Sequence, residues 1–270
     1  MSAIASTAPT RKRSPLKIQR AVLLALFIRE LRTRIEGRWL GAIWLLFEPL
    51  AHVLFILTLF GFLRHTASTT VEFPVFLVTG LLPFFIFRNV TLRLADAIGA
   101  NKGLFSYRQV KPIDTLFARA LVETLLYSAV YVITLSGLGW AGFHWLPWAP
   151  LELMGVLLML VLMGMSLGLV LAVVTFDRPK ARSIVGLIFL PLYISSGVIF
   201  AVHNLPGEIR QYLLWNPVLH LIESSRGFFI ESYRPMPGVN LFFPLKVILI
   251  LSALGLSLYR VNRQQLIAQG

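Results

Sequence analysis

PLYISSGVIFAVHNLPGEIRQYLLWNPVLHLIESSRGFF, residues 191–229, is the stretch that decides how this chain folds. It opens as an apolar helix and is then broken at Gly197, Asn204, Pro206, Gly207, Asn216 and Pro217, with apolar residues returning between the breaks. A simple loop outside a membrane is polar, and a simple span runs on for about 20 apolar residues. This stretch does neither. It predicts a span that surfaces at Asn204-Leu205-Pro206 and continues as short helices at the far interface. Broken backbone is tolerated at membrane depth only where protein or a water-filled cavity covers the freed N–H and C=O groups. The stretch therefore predicts the rim of a pathway, with Asn204, Pro206, Asn216 and Pro217 shaping its exit.

The composition sets the solvent. Of 270 residues, 57% are hydrophobic and 14% charged, against about 25% charged in a soluble domain. The expected fold is an all-α polytopic membrane protein. Having no cysteine excludes disulfides and thiol chemistry. Residues 1–15 are small, polar and basic without an apolar core, which reads as a disordered cytoplasmic tail and not as a signal peptide. Residues 16–38 place Ile18, Val22, Phe27, Ile28, Leu31 and Ile35 at helical spacing with Arg29, Arg32 and Arg34 between them. That pattern predicts an amphipathic helix on the membrane surface, its arginines among anionic headgroups.

A transmembrane domain follows over 41–260, with six spans, the first four near 41–63, 73–93, 115–140 and 151–176, the fifth with its broken sequel over 184 to about 232 and the last near 241–259, and a cytoplasmic tail over 261–270. Broken or re-entrant helices lie between the fifth and sixth spans. Gly164 and Gly168 have the spacing that lets helices approach closely. Of the 25 Lys and Arg residues, seventeen fall on the face that carries both termini and four (Arg64, Arg210, Arg226, Arg234) on the other. The positive-inside rule then puts both termini in the cytoplasm. The halves do not echo each other, unlike a transporter built from inverted repeats.

No residue pattern suggests an enzyme. The five histidines lack metal-ligand spacing, and GxxxxGK[ST] is missing, so the chain has no P-loop for ATP. Charges within spans carry more information, because an ionisable group there is sheltered or functional. Arg88 and Arg93 read equally as anion-holding groups at a cytoplasmic entrance and as side chains that snorkel to headgroups or pair with Asp96. Arg119 and Glu123 read as an intrahelical ion pair. Glu48-Pro49 reads as a kink with a sheltered carboxyl group. Trp140, Trp145 and Trp148 read as an interfacial belt. Phe84, Phe85, Tyr193, Phe200 and Tyr212 are candidates, as a group, for the wall of a sugar path. Between Gly103 and Pro112 a short amphipathic piece offers Leu104, Phe105 and Tyr107 as knobs, Phe105 and Tyr107 exposed, and Arg108 as a charge.

An ordered set of residues resembles the type-2 ABC exporters. Pro191, Ser196-Gly197, Phe200, Leu205-Pro206, Asn216-Pro217, His220 and Arg226 resemble their fifth-span region. FIRELRTRIEGRWLGAIWLLFEPL (27–50) and VKPIDTLFARALVE (110–123) look like the same family. Within it the chain is similar to the KpsM-type permeases that export capsular polysaccharide. The resemblance implies a homodimer in a Gram-negative inner membrane, moving a lipid-linked acidic polysaccharide. It also implies a separate ATPase subunit dimer that holds ATP and Mg, an inner-membrane co-polymerase and an outer-membrane channel. Leu104, Phe105, Tyr107 and Arg108 would then form the coupling helix that seats in the ATPase. Other cargoes of such exporters are O-antigen, teichoic acid or a small molecule. A membrane-embedded enzyme acting on lipid-linked sugars would need grouped carboxylates, and only Glu208, Glu223 and Glu231 share a face.

Overall fold

The computed structural model describes residues 14–35, 41–63, 72–176 and 178–268, and among these it is all-helical. Residues 1–13, the polar turn at 64–71 and the side chain of Glu48 lie outside the described set. The helices are α1 (Pro15–Ile35), α2 (Gly41–Leu63), α3 (Phe73–Ala95), α4 (Ala97–Ala100), α5 (Pro112–Trp140), α6 (Pro150–Val174), α7 (Pro179–Ser195), α8 (Gly207–Leu213), α9 (Pro217–Phe229) and α10 (Phe242–Ala268). Proline stands in the first turn of α3, α5, α6, α7 and α9. Its missing N–H removes a donor that would have no helical acceptor there. Among the described residues four helices are long and apolar enough to cross a membrane: Phe73–Ala95, Pro112–Trp140, Pro150–Val174 and Phe242–Ile267. Shorter apolar helical stretches occupy Pro49–Leu59 and Ile184–Ser195.

α3 is the central column, buried over most of its length and packed on α6, α5, α9, α7 and α2. Its tightest neighbour is α6, because glycine removes the side chains that would hold them apart. A Cβ on Gly164 would lie 2.9 Å from the Phe87 carbonyl, and one on Gly168 2.7 Å from Leu94 Cβ.

α1 lies along α5 and corrects two readings of the charges. Arg119 bonds not to Glu123 but to Glu30 of α1, at 2.6 Å, and Glu123 pairs with Arg34 of α1. Arg29 donates to Asn101, and Gln19 donates to Asp114 at 2.6 Å. The arginines of α1 thus divide. Arg29 and Arg34 turn to protein, while Lys17, Arg20 and Arg32 remain exposed beside Leu24 and Ile28. The partners differ from the expected i, i+4 pair because the neighbouring helix brings an opposite charge to each α5 residue.

A buried side chain ties the broken stretch to the core. α7 ends at Ser195, the chain turns at Gly197 with φ +66°, and α9 returns into the core. Arg226 of α9 is fully buried. Its Nη1 and Nη2 donate to the carbonyls of Gly197 (2.8 Å) and Val198 (2.6 Å), and its Nε to the carbonyl of Phe76 on α3 (3.3 Å). The guanidinium also lies 3.7 Å from the centre of the Phe76 ring. Its counter-ion is Glu223, one helical turn earlier, at 3.3 Å. Glu223 accepts in addition from the Tyr233 hydroxyl (2.8 Å) and the Met236 N–H (3.1 Å). Burial, reinforced by that carboxylate, pushes the Tyr233 phenol up, so it stays a donor. Arg226 had been counted as a charge of the far face; it belongs to the core, where α7 has run out of helical donors.

Gly80 makes the room. A Cβ there would run into the Arg226 guanidinium, which four acceptors hold in place. Gly80→Ala should cost about 2–4 kcal/mol through displaced charged hydrogen bonds, measured by thermal unfolding in detergent. Charge exchange tests the α1 dock. Glu30→Arg and Arg119→Glu should each lower hydrogen-exchange protection of α1 about tenfold, and the double exchange should restore it.

Candidate functional site

Three helices leave one cleft between them. Its volume is about 310 Å³, and His52 of α2, Phe84, Phe85 and Arg88 of α3, and Gly186, Phe189, Leu190 and Tyr193 of α7 line it. The α7 residues fall at helical spacing and so share one face. Rings make the walls. Phe84 meets Tyr193 edge-on at 5.2 Å, His52 meets Phe85 at 5.3 Å, and the Tyr193 hydroxyl is 3.5 Å from His52 Nε2. Arg88 supplies the charge, and among the described residues it has no ion-pair partner. No cluster of three His, Asp or Glu residues suited to a metal ion occurs among the described residues. What the arrangement can do is hold an anion at Arg88 while flat apolar faces pack beside it.

The cleft gathers four of the residues read from sequence: Phe84, Phe85, Arg88 and Tyr193. It leaves out three. Arg93, on the same helix, lies 3.6 Å from the Glu123 carboxylate. Phe200 sits half-buried in the bend after α7, and Tyr212 is exposed on α8. His52, Gly186, Phe189 and Leu190 are lining residues that the sequence reading passed over; the face formed by 186, 189, 190 and 193 was the signal for three of them.

In the broken stretch, Asn216 caps α9 by accepting from the Val218 N–H at 2.9 Å. Its amide donates to Ser195 and Ser196 at 3.0 Å each, joining the end of α7 to the start of α9. Pro217 fills the first turn of α9, and Pro206 precedes α8. Asn204 ends a short turn on the surface. His220 accepts from the Asn240 N–H at Nδ1 (3.0 Å), which leaves Nε2 to donate to the Leu214 carbonyl (2.9 Å). Trp148, read as belt, donates to the Gly227 carbonyl at 2.7 Å and so also clamps the end of α9.

The segment between α4 and α5 departs from expectation in one residue. Tyr107 is 65% exposed and Arg108 is exposed, but Phe105 is only 5% exposed. Phe105 packs in a buried cluster with Ala97, Ile98, Tyr259 and Leu266. A benzyl side chain beside so much apolar surface turns inward, and the short turn at Lys102–Leu104 lets it. Leu104 is half-buried.

Residues 21–230 match the family model described as ABC-2 type transporter. This chain belongs to the ABC-2 type transporter family. It is 39% identical to the polysialic acid transport protein KpsM of Escherichia coli, over 94% of this chain and 98% of that one. It is 33% identical to the capsule polysaccharide export inner-membrane protein CtrC of Neisseria meningitidis serogroup A, over 90% and 91% of the two chains. With BexB of Haemophilus influenzae, a capsule polysaccharide export inner-membrane protein, identity is 30% over 91% and 93%. As an ABC-2 chain of KpsM type it is a transport permease, not an enzyme.

Its two key arginines should respond oppositely to mutation. Arg226→Met strands the buried Glu223 and should cost about 3–5 kcal/mol, part of which Glu223→Leu in the same chain recovers. Arg88→Gln breaks no ion pair with a described residue and should stay within about 0.5 kcal/mol of wild type. Thermal unfolding of the purified permease reads both.

Proposed function

We propose that this chain is the permease subunit that carries a lipid-linked acidic capsular polysaccharide outward across the inner membrane of a Gram-negative bacterium. The observation that carries the reading is Arg88, without a counter-ion among the described residues, in a cleft walled by Phe84, Phe85, Phe189 and Tyr193. An anionic head group or sugar acid satisfies the guanidinium, and sugar C–H faces pack on the rings. The names of its relatives, which transport polysialic acid or export capsule polysaccharide, support the cargo class.

In this reading α2 and α7 join the four longer helices as the first and fifth of six spans, and α8 and α9 are the re-entrant helices at the exit. Both termini are cytoplasmic, and burial of Arg226 strengthens the charge asymmetry by removing a cation from the far side. Two copies related by a two-fold axis enclose the path. ATP and Mg sit on a separate ATPase dimer, which docks at Tyr107 and Arg108. A co-polymerase and an outer-membrane channel complete the route.

The test is assembly with the ATPase subunit and ATP hydrolysis in lipid nanodiscs. Anionic lipid-linked glycan should stimulate hydrolysis, and Arg88→Gln should abolish most of that stimulation while leaving the basal rate. Equal stimulation in wild type and Arg88→Gln would exclude the cleft as the binding site. The two aromatic residues of the docking segment should separate. Tyr107→Ala should weaken ATPase binding about tenfold with the permease equally stable. Phe105→Ala should lower permease stability by about 3 kcal/mol.

A further inference from the structure

A groove of about 150 Å³ opens between α5, α6 and α10, sharing only α3 with the Arg88 cleft. Ile113 and Phe117 of α5, Ser166 and Leu169 of α6, and Ser252 and Leu256 of α10 line it. Its origin is local. α10 packs along α6, where a Cβ on Gly255 would lie 2.9 Å from Leu169, and barely meets α5. Ser166 and Ser252 are too short to fill the gap, and Ser166 turns its hydroxyl back to the Met163 carbonyl at 3.0 Å. The lining is therefore apolar, and Phe117 and Leu256 are exposed along it. One turn of helix, about 10 Å wide and 5.4 Å high, needs more than twice this space. A flexible chain fits where a helix does not.

Three cations stand at one end. Arg260 and Arg263 follow Leu256 by four and seven residues, on its side of α10. Side chains of a helix lean toward its N-terminus, which here is back toward the groove. Lys111 stands two residues before Ile113. All three are exposed, and none forms an ion pair with a described residue. Asp114 is buried and accepts from the Gln19 amide (2.6 Å) and the Lys111 N–H (2.9 Å). The charge of Asp96 falls on Arg119, and α10 has no acidic residue. Asp177, past the end of α6, lies outside the described residues.

We propose that groove and cations together bind one anionic membrane phospholipid, an acyl chain lying between α5 and α10 and the phosphate held by Arg263 and Lys111. The inference rests on these helices crossing a membrane and not on the cargo of the permease. Bulk lipid is as apolar as leucine, so the groove alone gains nothing over the surrounding bilayer. It aligns the chain, and the charges select the lipid. An extended peptide of the same width would leave its own N–H and C=O groups without partners, because the lining offers only two hydroxyls. An acyl chain has no such groups.

The test is native mass spectrometry of the full permease, released from detergent after titration with phosphatidylglycerol or phosphatidylethanolamine. Wild type should retain one phosphatidylglycerol per chain about tenfold better than phosphatidylethanolamine. Arg263→Gln with Lys111→Gln should remove that preference, with thermal unfolding of the lipid-free chain unchanged. Ser252→Phe should fill the groove and lower retention of both lipids about tenfold. Equal retention of the two lipids by wild type would overturn the proposal, as would undiminished phosphatidylglycerol retention in Ser252→Phe. A change of oligomeric mass in Ser252→Phe with lipid still bound would make the groove a protein contact and overturn it too. The charge variant changes only exposed residues, so it decides the matter on its own where Ser252→Phe does not fold.

Discussion

A guanidinium in a dry interior must be given acceptors, and a helix that breaks in that interior must be given donors. In this protein the two needs meet at Arg226. The carbonyls of Gly197 and Val198 would be left without partners where α7 stops, and Arg226 supplies donors to both. The same side chain reaches the Phe76 carbonyl, so the end of α7, the last turn of α9 and the start of α3 form one unit. Glu223 keeps the charge balanced, and Tyr233 and Met236 occupy its remaining acceptor sites. A pair so buried is a weak source of net stability, since desolvation offsets much of the attraction. Its effect is on arrangement: only one placement of α9 satisfies every group at once.

That pin shapes the cleft beyond it. α3 and α7 are joined at one end by Arg226, and further along they touch through Phe84 and Tyr193 and through Phe87 and Phe189. The space that remains opens around Arg88 and is shared with α2. Two arginines of one bundle therefore have opposite characters. Arg226 is saturated with acceptors and cannot be offered to a ligand. Arg88 retains its capacity because no acid of the described bundle has been placed beside it.

Much of this was legible in the sequence, and the failures share one cause. Hydrophobic runs and prolines marked the helices, the breaks after Gly197 marked α8 and α9, and the spacing of Gly164 and Gly168 marked the close approach to α3. Phe84, Phe85, Arg88 and Tyr193 were legible as a group because they are rings and a charge in apolar helices. Partnership was not legible. Arg119 and Glu123 sit at ideal spacing for each other, yet α1, about 90 residues earlier in the chain, supplies a closer partner to each. Phe105 looked like an exposed knob because its neighbours in sequence are polar; Tyr259 and Leu266, which bury it, lie more than 150 residues away. Local patterns fix what a residue offers, and tertiary contacts decide what accepts it.

The near end of the bundle repeats the logic of the far end with weaker bonds. The turn that carries Tyr107 is tied to three elements: to α1 through Arg29 and Asn101, to the end of α6 through Lys102 and Phe176, and to α10 through Phe105 and Leu266. The segment has only the one short turn at Lys102–Leu104 to stiffen it, so its rigidity comes from those three ties. The ties also set what a displacement at Tyr107 would move. α1 is bonded in turn to α5 through Glu30 and Arg34, and Arg93 of α3 stands beside the same Glu123 that Arg34 holds. Arg88 lies five residues before Arg93 on α3, less than two turns away. The contacts from the exposed turn thus reach α3 in few steps, through Asn101 and Arg29 to α1 and through Arg34 and Glu123 to Arg93, on the helix that carries Arg88. Beyond the cleft the same helix meets Arg226, whose partners are fixed.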